Sequence, residues 1–311
     1  MVNVLLLRST PQDGPDKYEE AFRARGYNPV SVPVLETVLK NIENLRDVIL
    51  EGPARRSYGG VIVTSARACE AWRATMQRIV KESPASSEQG GRAITGSHST
   101  FGPNTSLVNW STVSFYVVGE ATAKALSDIV EAFPSSPYAP RDVRGAAESG
   151  TSDRLANFIL EDLKDTSGSR QLLYLTGDKN RDTLPKILAG GGFTLESLQV
   201  YETQGSSTFA EDLRQALSSN ISSSDRWWLV YFAPSAADFV TPTLREYFAL
   251  RDVDSDRTGD AHLMRPRIAA IGPTTSTFLR DTLRLHVDVV PPRPSADALV
   301  SAIRNIDDSA L

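Results

Sequence analysis

The chain has 311 residues, long enough for two domains of ordinary size, and its 41% hydrophobic and 23% charged content is that of a globular protein. A formal charge of −5 lacks the basic footprint of a nucleic-acid binder, so an anionic ligand would have to be held by local donors. The single cysteine, Cys69, and three histidines without ligand spacing, His98, His262 and His286, leave neither a disulfide framework nor a metal site in view.

Short apolar runs alternate with helical patterns along the chain, the mark of α/β layers with parallel strands. In chain order the predicted strands are residues 4–7, 30–34, 61–63, 115–118, 171–175, 198–201, 229–232, 268–271 and 287–290, with a weaker candidate at 133–138. Trp72, Met76 and Ile79 mark one amphipathic helix, and Phe209, Leu213 and Leu217 another. The last runs through Leu299, Val300, Ile303 and Ile306, with Pro294-Ser295 as its start signal. Residues 81–112 are rich in Ser, Gly, Thr and Asn without apolar period, the composition of a disordered insertion. Residues 250–265 form a shorter polar, charged stretch. No apolar run approaches the roughly 18 residues of a membrane span, and Met1 leads directly into a strand, so a cytoplasmic protein is expected.

The chain repeats itself. Gly26-Tyr27-Asn28-Pro29-Val30-Ser31-Val32-Pro33-Val34-Leu35-Glu36-Thr37 lines up without a gap on Gly192-Phe193-Thr194-Leu195-Glu196-Ser197-Leu198-Gln199-Val200-Tyr201-Glu202-Thr203. Residues 60–68 likewise resemble 228–236, and 116–122 resemble 269–275. So long a period means duplication of a domain, not a solenoid. Two similar lobes are therefore expected, each a mainly parallel five-stranded sheet flanked by helices, with a cleft between them. If Leu35-Glu36-Thr37 and Tyr201-Glu202-Thr203 are equivalent exits, residues 1–35 and 204–311 form a discontinuous first domain. Residues 40–198 form the second, and 36–39 with 199–203 are the two linker strands.

Parallel α/β sheets bind ligands at the carboxyl ends of their strands, where this chain gathers its unusual residues. Thr64-Ser65-Ala66-Arg67 follows one strand, Gly119-Glu120-Ala121-Thr122 the next, and Thr176-Gly177-Asp178-Lys179-Asn180-Arg181 a third. Ala233-Pro234-Ser235 and Gly272-Pro273-Thr274-Thr275 hold matching places later on, and Arg8 follows the first strand. Capping alone explains any one Ser or Thr at such a helix start, at about 1 kcal/mol each. Five such turns point further, to helix N-termini that bind carboxylates or phosphates.

No G-x-G-x-x-G, P-loop or G-x-S-x-G elbow is present, and no histidine adjoins a reactive Ser or Cys. An enzyme of this kind works by positioning with at most one general acid. Tyr201 is the candidate, because it replaces Leu35 of the first copy and the repeat itself does not demand a phenol. A strand tyrosine with its hydroxyl in water is the plain alternative.

These pieces, taken in order, resemble the uroporphyrinogen-III synthase family. They are Thr64-Ser65-Ala66-Arg67-Ala68, Val117-Val118-Gly119-Glu120-Ala121-Thr122-Ala123, Gly177 to Pro185 with Arg181, Leu195-Glu196-Ser197 leading to Val200-Tyr201-Glu202-Thr203, and Ala269-Ala270-Ile271-Gly272-Pro273-Thr274-Thr275. Ile-Gly-Pro-Thr-Thr is the most specific piece, and the shared order carries the rest. The resemblance implies two lobes on a two-stranded linker, acting in tetrapyrrole (heme) biosynthesis with no cofactor and no metal. The implied lyase reaction closes hydroxymethylbilane, an open-chain tetrapyrrole bearing acetate and propionate groups, to uroporphyrinogen III with loss of water and inversion of ring D. Tyr201 would assist the departing hydroxide. Ser65, Arg67, Thr122, Arg181, Ser235, Thr274 and Thr275 would meet the carboxylates, with Arg8, Thr64, Gly119, Glu120, Gly177, Asp178 and Gly272 in the same turns. The resemblance further implies a monomer in transient contact with the preceding or following pathway enzyme, without nucleic acid or membrane. Ala233 and Ala66 depart from the family's usual Ser and Pro, which removes a hydroxyl at position 233 but no backbone donor. A non-catalytic two-lobed anion-binding protein or sensor shares the same features without turnover. A sugar-phosphate or nucleotide enzyme would carry a phosphate loop or acidic metal site, and the chain shows neither motif.

Overall fold

Four consecutive side chains, Val4 to Leu7, are fully buried, so the strand that carries them is covered on both faces. The computed structural model describes residues 2–11, 14–82, 108–220, 226–253 and 263–309. Its elements are β1 (Val2–Leu7), α1 (Lys17–Arg23), β2 (Asn28–Val32), β3 (Leu35–Leu39), α2 (Ile42–Glu51), α3 (Pro53–Arg56), β4 (Tyr58–Val63) and α4 (Ala66–Glu82). Then follow β5 (Ser114–Val117), α5 (Gly119–Ala132), β6 (Asp142–Arg144), α6 (Ser152–Asp162), β7 (Gln171–Thr176), α7 (Thr183–Gly190), β8 (Thr194–Gln199) and β9 (Tyr201–Gly205). The remainder is α8 (Phe209–Asn220), β10 (Arg226–Tyr231), α9 (Pro234–Tyr247), β11 (Arg267–Ala270), α10 (Pro273–Asp281) and α11 (Ala296–Asp308).

The chain divides into two compact units, Met1–Glu36 with Gln204–Leu311, and Thr37–Thr203. The first holds a parallel sheet in the order β11-β10-β1-β2. Val4 and Leu6 face α1 and α11 on one side, through Phe22, Leu299 and Ile303. Leu5 and Leu7 face α8, α9 and α10 on the other, through Leu213, Val240 and Leu279. The second unit holds a parallel sheet in the order β6-β5-β4-β7-β8. One of its faces packs Val61, Phe115 and Leu173 against α2, α4 and α5, and the other packs Ile62, Tyr116 and Leu172 against α6 and α7.

Ladder register aligns the two units residue by residue. Leu7 pairs with Tyr231 as Leu175 pairs with Val63, and Tyr231 pairs with Ala270 as Val63 pairs with Val117. Gly26 and Gly192, the first residues of the sequence repeat, both have φ +79°, left-handed positions after α1 and α7 that favour glycine. β3 and β9 pair with each other. The bonds that close this pair, Lys40 N–H to Val200 C=O at 2.9 Å and Ser206 N–H to Val34 C=O at 3.1 Å, make it antiparallel. The strand expected at 198–201 is thus two strands. Buried Val200 separates them, its N–H bonded to Thr176 C=O at 2.9 Å in the sheet and its C=O turned to Lys40.

Three other expectations are corrected. The first unit has four strands rather than five, because 287–290 contributes only a bridge from Val289 to Ala269. The Asp288 carboxylate takes the Ile268 N–H at 2.8 Å, which a strand carbonyl would otherwise accept, and Pro291 and Pro292 have no N–H to extend the ladder. Residues 133–138 form turns, closed by Ser136 N–H to Phe133 C=O at 3.1 Å, and the edge strand comes later as β6. The proposed insertion 81–112 begins inside α4 and ends on Trp110, fully buried with its Nε1–H on Ile49 C=O at 2.9 Å. Residues 83–107 lie outside the described residues, as do 254–262 of the stretch 250–265, and with them His98 and His262. The helices expected around Trp72, Phe209 and Leu299 are α4, α8 and α11.

Candidate active site

In each unit the residues singled out from the sequence follow the carboxyl ends of parallel strands, so each set shares one edge of its sheet. In the second unit this edge carries Thr64 and Ser65 after β4, Gly119 to Thr122 after β5, and Gly177 to Arg181 after β7. Tyr201 opens β9 and is half-buried against the core face that holds Val63 and Leu175.

Tyr201 lies directly on Gly177. A Cβ at Gly177 would stand 2.7 Å from the phenol oxygen and closer still to the ring. The exposed Arg67 places its guanidinium 6.0 Å from the ring centroid and reaches the Thr203 hydroxyl at 3.4 Å. The Asp178 carboxylate accepts the Thr203 N–H at 3.2 Å, and Asn180 donates to Gly177 C=O at 2.7 Å. Ser65 Oγ accepts the Arg67 N–H at 3.2 Å, which caps α4. Tyr174, only 4% exposed, packs on the opposite face of the same sheet, among Ile62, Tyr116 and Leu172. Burial pushes its phenol above the ordinary value, with the Thr64 hydroxyl lowering it by less and nearby Tyr201 raising it further. The structure thus brings Thr64, Ser65, Arg67, Gly177, Asp178 and Tyr201 into one constellation.

Beside it Gly119, at φ +74°, turns the chain into α5. Glu120 is exposed and Thr122 is buried. Cys69 ties this turn to α4, its Sγ 3.7 Å from both Ser65 C=O and Thr122 C=O. Burial pushes its thiol up to about 12, so it is no nucleophile at neutral pH. Arg181 is exposed ahead of α7.

The edge of the first unit carries Arg8, Ser235, Gly272, Thr274 and Thr275. Arg8 is held by Asp16 at 2.9 Å, with its guanidinium 4.9 Å from the Tyr18 ring centroid and 5.3 Å from that of Phe232. Asp16 also caps α1 through the N–H groups of Tyr18 and Glu19. Arg8 therefore already has a carboxylate partner. Ser235 and Thr274 are exposed, whereas Thr275 is 3% exposed. Thr122 and Thr275 occupy equivalent places in the two units, since Val117 aligns with Ala270, and both are buried.

Capping does not account for most of these residues. α5, α9 and α10 begin at Val118, Ala233 and Gly272 with no side-chain cap, and Ser235, Thr274 and Thr275 sit inside the first turns. Their backbone N–H groups are left to other acceptors, the arrangement that favours anions. The sequence assigns no individual role to Tyr174, Asn180 or Thr203. Tyr174 reads as a core strand residue, and the other two gain meaning only from β9 lying beside the β7–α7 turn. Among the described residues no group of three or more His, Cys, Asp or Glu could hold a metal ion, and no helix is long and apolar enough to cross a membrane.

Residues 16–301 match the family of uroporphyrinogen-III synthase HemD. Uroporphyrinogen-III synthase of Saccharomyces cerevisiae is 27% identical over 311 residues, covering 97% of this chain and 95% of the relative. The same enzyme of Schizosaccharomyces pombe is 26% identical over 308 residues, covering 99% and 98%. The crystal structure of uroporphyrinogen-III synthetase from Helicobacter pylori 26695 has a TM-score of 0.46 at 16% identity, covering 98% of this chain and all of that one, an overlap too low to argue from. With the family matched over nearly its whole length, the chain belongs to the uroporphyrinogen-III synthases.

Proposed function

We propose that the chain converts hydroxymethylbilane to uroporphyrinogen III, with Tyr201 as the proton donor to the departing hydroxyl. The family match over residues 16–301 is the observation that carries this reading. The geometry supports it: a phenol seated on Gly177, with the Arg67 guanidinium over its ring, is placed to donate a proton to a leaving hydroxyl. Electrons from the terminal pyrrole nitrogen expel hydroxide, which leaves as water with the phenol proton. The substituted carbon of ring D attacks the methylene so formed, and the spiro intermediate fragments and recloses with that ring inverted. The proton released on closure returns to the phenolate.

Ser65, Arg67, Arg181, Ser235 and Thr274 are assigned to substrate carboxylates through their side chains, supported by their place at strand ends, where Ser65 is half-buried and the other four are exposed. Thr64, Gly119, Glu120, Thr122, Asp178, Gly272 and Thr275 frame the same turns, and the buried Thr122 and Thr275 act through backbone N–H groups. Arg8, held by Asp16, orders its turn more than it binds. The same reading makes the chain a cytoplasmic monomer in transient contact with the neighbouring enzymes of its pathway. The test is to supply freshly made hydroxymethylbilane and separate the products. The linear substrate closes unaided to the type I isomer, so formation of type III above that background is the expected result. Type I alone overturns the reading.

A further inference from the structure

We propose that Gly177 is a positioning residue for Tyr201, with the Gly177–Asn180 turn as the platform that aims the phenol; this deepens the reading of Tyr201 as proton donor and rests on it. Gly177 has none of the usual reasons to be glycine. Its φ is not among the positive values, so any residue could adopt its backbone conformation. The three atoms nearest to a Cβ built there are Cζ, Cε2 and the hydroxyl oxygen of Tyr201. The missing side chain is the space in which the phenol lies.

The platform is itself held. Asn180 donates to Gly177 C=O at 2.7 Å, and Asp178 accepts the N–H of Thr203, two residues beyond Tyr201 on β9, at 3.2 Å. Thr203 also takes Arg67 at 3.4 Å, so one strand segment sets the distance from phenol to turn and to guanidinium. Duplication supplies a control within the molecule. Leu175 aligns with Leu7 in the ladders, so Gly177 stands where the first unit has Ser9, and Tyr201 stands where it has Leu35. The shared fold forms without the glycine and without the phenol, and the two occur together in the unit where they touch.

The experiment compares wild type, Gly177→Ala, Tyr201→Phe and the double variant in single-turnover formation of type III product, together with KM. Gly177→Ala is expected to slow the chemical step by about 10- to 100-fold, the scale of a misplacement near 1 Å, with KM within about threefold. In the Tyr201→Phe background, where no proton remains to be aimed, Gly177→Ala is expected to cost less than about threefold more. An equal loss in both backgrounds, or a wild-type rate for Gly177→Ala, overturns the positioning role and leaves the proton-donor reading standing. A wild-type rate for Tyr201→Phe removes that reading and the positioning role with it. If Gly177→Ala does not fold, Tyr201→Leu should restore a cooperative melt to it by replacing the ring with the smaller side chain that the first unit carries at the equivalent position, and failure to do so also overturns the proposal.

Discussion

Tyr201→Phe keeps the ring on Gly177 and removes the hydroxyl. General acid catalysis typically contributes about 10²–10⁴-fold, so single-turnover formation of type III should fall into that range while the melting temperature and KM stay close to wild type. An effect below about threefold would make Tyr201 an ordinary linker tyrosine. Thr274 and Thr275 separate binding from packing at a single helix start. Thr274 is exposed and Thr275 only 3% so, hence Thr274→Ala should raise KM with stability unchanged. Thr275→Val keeps the branched shape in the core and leaves the backbone N–H in place, so KM should be unmoved and stability in urea within about 0.5 kcal/mol of wild type. Adjacent threonines look alike in sequence; the helical turn of about 100° per residue is what sends one outward and the other into the core.

α4 and α5 both begin at the sheet edge that carries the constellation, and Cys69 joins their starts. Its thiol is pushed up to about 12, chiefly by burial, above the ordinary value near 8.5. A raised folded-state value means that the contribution to stability is whole below about pH 8.5 and is lost as pH rises towards about 12. The slope is on the order of 1.4 kcal/mol per pH unit. Several buried tyrosines act in the same direction, Tyr231 pushed up to about 12 by burial among them, so the informative quantity is a difference. Between pH 8 and pH 10.5, wild type should lose more unfolding free energy in urea than Cys69→Ala, and equal losses would exclude the thiol. Helices declare themselves by local spacing, as the apolar positions of α4, α8 and α11 did. The strand expected at 287–290 failed because of residues that its apolar pattern does not weigh: the Asp288 side chain usurped a ladder bond, and two prolines ended the supply of donors.

The two units differ in how the chain supplies their strands. β4 to β8 all lie within Thr37–Thr203, whereas the first unit needs β1 and β2 from the start of the chain beside β10 and β11 from its end. A fragment of residues 37–203 should therefore fold alone and melt cooperatively by circular dichroism. Residues 204–311 alone should not, because β10 would lose β1 and expose Trp228 and Leu229. Adding residues 1–36 as a peptide should restore a melt to that second fragment. A cooperative transition in 204–311 without the peptide would refute this view of its sheet.

Alternation of apolar runs with helical spacing determined the fold class from sequence alone, and the repeat of Gly26–Thr37 at Gly192–Thr203 gave away the duplication, because both are written in local periodicity and turn chemistry. The ordered turns that end the strands were enough to point to the family. Only the tertiary structure decided what those turns touch. Arg8 has a carboxylate partner because the turn before α1 brings Asp16 back to it, and Thr275 is buried because α10 settles that face on its sheet. Gly177 gains its meaning from Tyr201 because β8 and β9 carry the phenol back over the end of β7. Such contacts depend on how turns, ladder register and helix packing place the side chains, and the pattern of residue types along the chain does not contain that information.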